Sequence, residues 1–344
     1  MNYEDFKNEV AKRIKEFLPE KYADAVISIA TVTKNNDQKL DGLMIKHADS
    51  NICPNIYLNS YFSQYEDGRQ LEDILKAIVE VRISHEMPQD FDVSRLTNFD
   101  TVKERITCRL VNAEQNAEYL SDKPHTMIAD LAVTYYVIIG KDGNGTMTAP
   151  VTNHLMEDYG VDAKTLHQIA KDNMESLNTT TFKSLSEVMI EMIGAEGAEL
   201  MGVNPSPEEE QLYVLSNIDQ LHGAAALLND TKMSEINARF PNGFYILPSS
   251  VHEVLIVPKT ELTDLKTLED MVREINATQV ALEDRLSDHV YAYDAKERSI
   301  VRADKPVLRE AEKRPSLADK LAAAEQEVAA QAEYKGKALV NERG

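Results

Sequence analysis

The fold class of this chain is decided by the stretch Phe244-Tyr-Ile-Leu-Pro-Ser-Ser-Val-His-Glu-Val-Leu-Ile-Val-Pro258, here called the opening stretch. Two apolar runs flank a Pro-Ser-Ser turn, a pattern that predicts two strands joined by a tight connection. A helix with one apolar face follows, and His289-Val-Tyr-Ala-Tyr293 predicts a closing strand. The apolar positions of that helix are Leu265, Leu268, Met271, Val272 and Ile275. This order predicts an α+β layer, and the stretch contains no recognisable reaction centre.

Residues 1–98 predict a first α+β unit of the same kind. Alternation of apolar and polar residues marks its strands, and apolar residues three or four positions apart mark its helices. Its predicted elements are a helix at 5–18, a hairpin of strands 25–33 and 42–46, a third strand at 52–58 and a helix at 70–85.

Residues 99–193 predict a central α+β unit. The run Lys141-Asp-Gly-Asn-Gly145 is rich in glycine but lacks the residue order of a phosphate-binding loop. Because it joins two strand-like runs rather than a strand and a helix, it predicts a hairpin turn. The predicted elements are strands at 106–111, 128–139 and 146–149 and helices at 151–158 and 163–176.

The remaining chain divides by composition. Residues 194–210 combine glycines, prolines and a run of glutamates, which is typical of a linker or insertion. Residues 211–304 form a third predicted α+β unit, which begins with a strand at 211–216 and contains the opening stretch. Residues 305–344 are rich in Ala and Glu, with a thin apolar stripe, and predict a helical or disordered tail. The three units share patterns rather than residues, so duplication and convergence both remain open.

The formal net charge is −21, and it is unevenly distributed. Residues 303–344 contain eight Lys or Arg and eight Asp or Glu, so the whole excess lies in residues 1–302. An acidic surface repels phosphate backbones, which disfavours direct nucleic-acid binding. The charge is either a solubilising surface or an attraction for a basic protein partner.

Several other classes are disfavoured by the composition. The chain has no run of about 18 apolar residues and no basic start followed by an apolar block, so we expect a cytoplasmic protein without a membrane span. The two cysteines, Cys53 and Cys108, provide neither a disulfide framework nor a thiolate metal cage, and we expect both to be inert. No cofactor is predicted.

A metal site has three candidate ligands. His154 and Asp158 are four residues apart on one predicted helix, and His167 lies on the next helix. Metal sites need three or four converging ligands, and the spacing fixes only two of these. A pair on a solvent-facing helix surface is therefore the competing interpretation.

Four residues are candidates for catalysis. Ser250 and His252 lie together at the turn of the opening stretch, but no nucleophile-elbow motif surrounds the serine, and stabilisation of the turn is the competing interpretation. His125 and Asp130 lie near the long central strand, where they either line a cleft or close a loop.

Three runs resemble an uncharacterised bacterial family, domain of unknown function 5688. They are Cys108-Arg-Leu-Val-Asn-Ala-Glu-Gln-Asn-Ala-Glu-Tyr-Leu120, Asp130-Leu-Ala-Val-Thr-Tyr135 and the opening stretch. The likeness extends over roughly residues 1–304 and brings no functional residue with it. The resemblance implies a bacterial protein of gut anaerobes, associated with mobile elements.

Two functions follow as hypotheses. The first is a non-catalytic binding or accessory protein whose acidic body docks a protein partner. The alternative is an enzyme, most simply a metal-assisted hydrolase, with a site around His125, Asp130, His154 or His252.

Overall fold

The computed structural model describes residues 1–47, 50, 53–85, 94–142, 145–203 and 211–305. These residues form helices and three antiparallel sheets, here named A, B and C, which confirms the predicted α+β class. The predicted tail helix lies outside the described residues. Within the described ranges, no helix is both long and apolar enough to cross a bilayer.

Sheet A lies at the N-terminal end of the chain. Its predicted hairpin is confirmed, since β1 and β2 pair in register from Val26 and Lys46 to Thr33 and Lys39. The side chain of Asn2 accepts a hydrogen bond from the Asp5 backbone N–H and caps the first helix, which then packs its apolar face onto the sheet. The elements are α1 (Tyr3–Arg13), β1 (Val26–Thr33), β2 (Lys39–Lys46), β3 (Asn55–Tyr57), α2 (Leu58–Glu66) and α3 (Leu71–Ser84).

Sheet B follows, with strand order β4-β6-β5, and β7 also pairs with β6. The predicted hairpin turn after Lys141 is confirmed by the pairing of Asp142 with Gly145; residues 143 and 144 lie outside the described residues. The elements are α4 (Ser94–Thr97), α5 (Phe99–Val102), β4 (Ile106–Asn112), α6 (Ala117–Leu120), β5 (His125–Ile128), β6 (Leu131–Asp142), β7 (Gly145–Pro150), α7 (Asn153–Tyr159) and α8 (Ala163–Leu177).

The predicted strand at 128–139 was wrong at its start. Ile128 pairs with Leu131, so a two-residue turn separates β5 from β6. The first turn residue, Ala129, has a φ of +53°, a conformation for which glycine or asparagine is the usual residue. An alanine inside an apolar run gives no turn signal, which explains the error.

Sheet C has the order β13-β12-β10-β11-β9-β8. The strands predicted from the opening stretch are confirmed, and Phe244 pairs with Pro258 across the turn. The elements are β8 (Thr180–Ser184), α9 (Leu185–Leu200), β9 (Tyr213–Asn217), α10 (Asp230–Arg239), β10 (Phe244–Leu247), β11 (Val254–Pro258), α11 (Leu265–Thr278), β12 (Tyr291–Asp294) and β13 (Ser299–Arg302).

The linker predicted at 194–210 begins inside a helix. Helix α9 extends to Leu200, although Gly194, with a φ of +78°, interrupts its helical backbone. Glycine adopts this conformation at no steric cost. The glycine-rich composition therefore indicated a real interruption of the helix, but one confined to Gly194. Residues 204–210 of the predicted linker lie outside the described residues.

The largest hydrophobic core lies between sheets B and C. It brings Ile106 and Val133 of sheet B into one cluster with Leu215 and Ile246 of sheet C. The opposite face of sheet C is covered by α11, whose Val272 packs in one cluster with strand residues, as the sequence predicts. Residues 1–304 form one compact unit. A division of this unit into three domains stays a prediction.

Candidate functional site

Helix α9 begins directly where the edge strand β8 ends, and its position is fixed by local hydrogen bonds. Ser184 and Glu187 form a capping box, in which the Glu187 N–H donates to Ser184 Oγ and the Ser184 N–H donates to the Glu187 carboxylate. The Leu185 N–H donates to the Leu212 carbonyl, 2.9 Å away, just before β9. The first half of α9 is thereby held against the outer part of sheet C.

A groove of about 580 Å³ lies between α9 and the strands β8, β9 and β11. Helix α9 contributes one apolar wall, and the strands and the segment after β9 contribute the floor and the other wall. Its apolar lining consists of Leu185, Val188, Met192, Val214, Ile218 and Leu255. The groove can therefore accept apolar side chains.

The apolar side chains around the groove are exposed to solvent. Met192 is 76% exposed, Ile193 44% and Ile218 66%. Just beyond the break in the helix, Leu200 and Met201 are 89% and 69% exposed. Single exposed apolar residues are ordinary, but Met192 and Ile218 both line the groove, and exposed apolar side chains in a groove are typical of a surface that binds another molecule.

The charged residues of this region are mostly acidic. Helix α9 contains four glutamates and no basic residue. Of these, Glu191 lines the groove and pairs with Lys183 Nζ at 2.7 Å. Glu253 also lines the groove, and burial raises the pKa of its carboxyl group. The groove thus combines six apolar lining residues with two carboxylates, of which Glu191 is paired with Lys183.

The three candidate metal ligands do not converge. His154 Nε2 lies 4.0 Å from Asp158 Oδ2 on α7, and the His154 side chain is 85% exposed. His167, on α8, instead places Nδ1 2.8 Å from Thr126 Oγ1. Within the described part of the chain, no group of three or more His, Cys, Asp or Glu side chains is arranged to hold a metal ion.

His125 and Asp130 have separate roles in the hairpin of β5 and β6. His125 is exposed, and its Nδ1 lies 2.9 Å from the Lys123 carbonyl. The Asp130 carboxylate accepts hydrogen bonds from Tyr291 Oη at 2.6 Å and from Arg302 Nη1 at 3.0 Å. Asp130 therefore ties the turn of sheet B to the last two strands of sheet C.

Ser250 and His252 lie close together without forming a nucleophile and a base. The hydroxyl of the buried Ser250 accepts a hydrogen bond from the His252 backbone N–H at 3.0 Å. His252 Nδ1 accepts from the His222 backbone N–H, and Nε2 lies 3.1 Å from Asp284 Oδ1. Both ring nitrogens are engaged, and neither contacts the serine hydroxyl, so these contacts hold the turn together.

Sequence comparison assigns the chain to a family. It matches the sequence model of a family of unknown function, DUF5688, over residues 3–295. The chain belongs to DUF5688. No curated protein and no solved structure matches it. The resemblance inferred from the three sequence runs is thus confirmed, while the association of DUF5688 with gut anaerobes and mobile elements stays a prediction.

The groove of this DUF5688 protein was missed in the sequence. Its signal is the run Val188-Met-Ile-Glu-Met-Ile193, which is apolar on more than one side of the helix. A helix packed on one face should show a single apolar stripe, so additional apolar residues indicate a second apolar contact. That excess could have identified the surface before the fold was known.

We expect Glu253→Gln to stabilise the protein at neutral pH. Burial raises the pKa of Glu253 in the folded state, so ionisation costs stability above that pKa and costs nothing below the unfolded-state pKa of about 4.3. The melting temperature should therefore rise at pH 7.5 and stay unchanged at pH 3.5. Glu261→Gln, at an exposed position, is the matched control. A lower melting temperature of the Glu253 variant at pH 7.5 would contradict this expectation.

Proposed function

We propose that this DUF5688 protein is a non-catalytic binding protein that docks a basic, amphipathic segment of a partner protein in the groove beside α9. The observation that supports the proposal most strongly is the exposure of Met192 and Ile218, two apolar residues that line the groove. Burying such side chains on binding contributes roughly 25 cal/mol per Å² of apolar area.

The charges of the residues that line the groove support a basic partner. Glu191 and Glu253 line the groove, Lys183 is its only basic lining residue among those described, and residues 1–302 carry the whole excess of negative charge. A partner with apolar residues on one face and Lys or Arg on the other would match both features. The same charge disfavours a nucleic acid as the partner.

The alternative function, a metal-assisted hydrolase, requires its residues to share one pocket. In the described residues, His125, Asp130, His154 and His252 each make separate contacts, and none hydrogen-bonds or pairs with another of the four. Binding of a partner in the groove does not require these four residues to share a pocket, and we therefore favour binding over catalysis.

Binding of a model peptide to the full chain tests the proposal. The probe is a synthetic helix of about five turns, with leucines at every third or fourth position and lysines elsewhere. We expect isothermal titration calorimetry to give a Kd of roughly micromolar. Met192→Gln removes apolar contact without changing charge, and we expect it to weaken binding by about 10-fold.

Leu262→Gln is the matched control, because Leu262 is 93% exposed and lies outside the groove. Its affinity should equal that of the wild type. A second peptide with glutamates in place of the lysines should bind much more weakly. Equal affinities of the Met192 and Leu262 variants, or equal binding of both peptides, would contradict the proposal.

A further inference from the structure

A second cleft lies on the other side of the segment that follows β9. It has a volume of about 80 Å³, enough for several water molecules, since one water needs roughly 10–15 Å³. Residues of β4, of the β6–β7 hairpin, of the end of α8 and of the segment 217–222 line it. Residues 217–222 lie between the two sites: Asn217 lines both, Ile218 and Gln220 line the groove, and Asp219 and His222 line this cleft.

Arg109 is the principal charged group of the cleft. Its guanidinium stacks 3.9 Å from the centre of the Tyr136 ring, and Nη2 donates to Thr148 Oγ1 at 2.7 Å. No ion pair joins Arg109 to a carboxylate of the described residues. The guanidinium is thus held in one orientation by neutral groups, and N–H donors remain for a ligand.

The other charges of the cleft leave it positive. Asp219 is the only carboxylate among its described lining residues, and Lys141 Nζ neutralises it at 2.7 Å. The protein as a whole contains 58 acidic and 37 basic residues. Although the chain is acidic, the described lining of this cleft thus has one uncompensated cation and no uncompensated carboxylate.

His222 lines the same cleft as Arg109. Its ring stacks on that of His252, with centroids 5.5 Å apart, and neither ring nitrogen hydrogen-bonds a described residue. Burial, together with the electrostatic effect of the neighbouring Arg109, His252 and Lys34, lowers the pKa of His222 to about 3. The ring is neutral at pH 7 and offers one donor and one acceptor.

The backbone that presents His222 is strained and fixed. Gln220 and His222 have φ values of +52° and +54°, which are uncommon for residues other than glycine and concentrate at functional sites. Asn217 holds the segment by bonding both the carbonyl and the N–H of Leu221. The backbone that carries the imidazole is therefore held in place before any ligand arrives.

One acceptor in the wall has no partner. Oδ1 of Asn178 is buried and makes no hydrogen bond to the described residues. Thr107, Thr146 and Thr148 contribute hydroxyl groups to the same lining. The Asn178 Oδ1 atom has almost no solvent-accessible surface, so the acceptor open to a donor on a ligand is the neutral His222 ring.

We propose that this cleft binds a small anion, a carboxylate or phosphate with a hydroxyl or similar donor, through the Arg109 guanidinium and the His222 imidazole. Charge-assisted hydrogen bonds from a guanidinium to an anion are roughly twice as strong as hydrogen bonds between neutral groups. The size of the cleft restricts the ligand to a few non-hydrogen atoms besides the charged group. This site is independent of partner docking in the groove.

Histidine-ring NMR of the full chain tests the proposal. The imidazole resonances are followed during titration with inorganic phosphate and, separately, with lactate, at constant ionic strength. We expect a saturable shift of the His222 resonance with at least one probe, and the probe that binds distinguishes phosphate from carboxylate recognition. His222→Asn assigns the resonance, because asparagine tolerates the left-handed backbone.

Arg109→Gln should weaken the binding of that probe by at least about 10-fold. Thr148→Val, which removes only the hydrogen bond that orients Arg109, should weaken it less and provides a second test if the Arg109 variant does not fold. Arg273→Gln, on the exposed surface of α11, is the matched control and should bind like the wild type. No saturable shift with either anion, or equal binding by the Arg109, Thr148 and Arg273 variants, overturns the proposal.

Discussion

Gly223→Ala is expected to lower the free energy of unfolding by about 3 kcal/mol, near the upper end of the usual cost of overpacking. A Cβ atom at Gly223 would lie 2.5 Å from the His252 carbonyl oxygen and 2.8 Å from the Asn217 backbone nitrogen. Both are backbone atoms, so neither can move without shifting a strand end or the turn of the opening stretch. Denaturant unfolding followed by circular dichroism measures the change.

Gly197→Ala is the matched control for this substitution. Gly197 lies in the second part of α9, and its nearest neighbour would be 3.4 Å from a new Cβ, which is ordinary contact. Alanine is favoured over glycine in a helix by up to about 1 kcal/mol, so we expect this variant to be neutral or more stable. A Gly223 variant as stable as the Gly197 variant would show that Gly223 does not lie in close contact with the backbone of Asn217 and His252.

Phe244→Ala is expected to lower the free energy of unfolding by about 3–5 kcal/mol. Phe244 is 1% exposed, and its ring stacks on Tyr293 with centroids 5.9 Å apart and contacts Phe240 edge to face. Removing it opens a cavity in the core shared by sheets B and C, which is the reason for the large cost. The same unfolding measurement applies.

Phe244→Leu keeps most of the volume and should cost much less than the alanine variant. Leu262→Ala, at a position that is 93% exposed, should change stability by less than about 0.5 kcal/mol. If Phe244→Ala cost no more than Leu262→Ala, the first strand of the opening stretch would not belong to the core.

Most of the regular elements could be predicted from the sequence, because their own side chains carry the pattern. Strand β1 alternates between exposed and partly buried residues over its first five positions, and α11 places its apolar residues on one face. The opening stretch predicted both strands and their covering helix correctly. Such patterns are local, so one sequence suffices to show them.

Other elements are determined by partners distant in sequence. Strand β8, Thr180–Ser184, contains a single apolar residue and is a strand because it pairs with β9. The turn at Ala129 is hidden in an apolar run and is supported by the contacts of Asp130 with Arg302. No local pattern could have predicted either.

The candidate sites were the least predictable part. The sequence drew attention to His252 because it follows two serines, whereas the structure gives His252 a supporting role behind His222. Arg109 is an unremarkable residue in an apolar strand, and its significance is the lack of a carboxylate partner among the described residues. That property depends on tertiary structure and has no sequence signature.

Methyl NMR of the full chain, labelled at the methionine methyl groups, tests partner docking in the groove most directly. On addition of the Leu/Lys peptide, we expect the Met192 methyl resonance to shift saturably, because Met192 is 76% exposed and lines the groove. The resonance of Met233, which is 1% exposed in the core, should stay in place and serves as the internal control. A peptide that binds while the Met192 resonance remains unshifted would contradict docking in the groove.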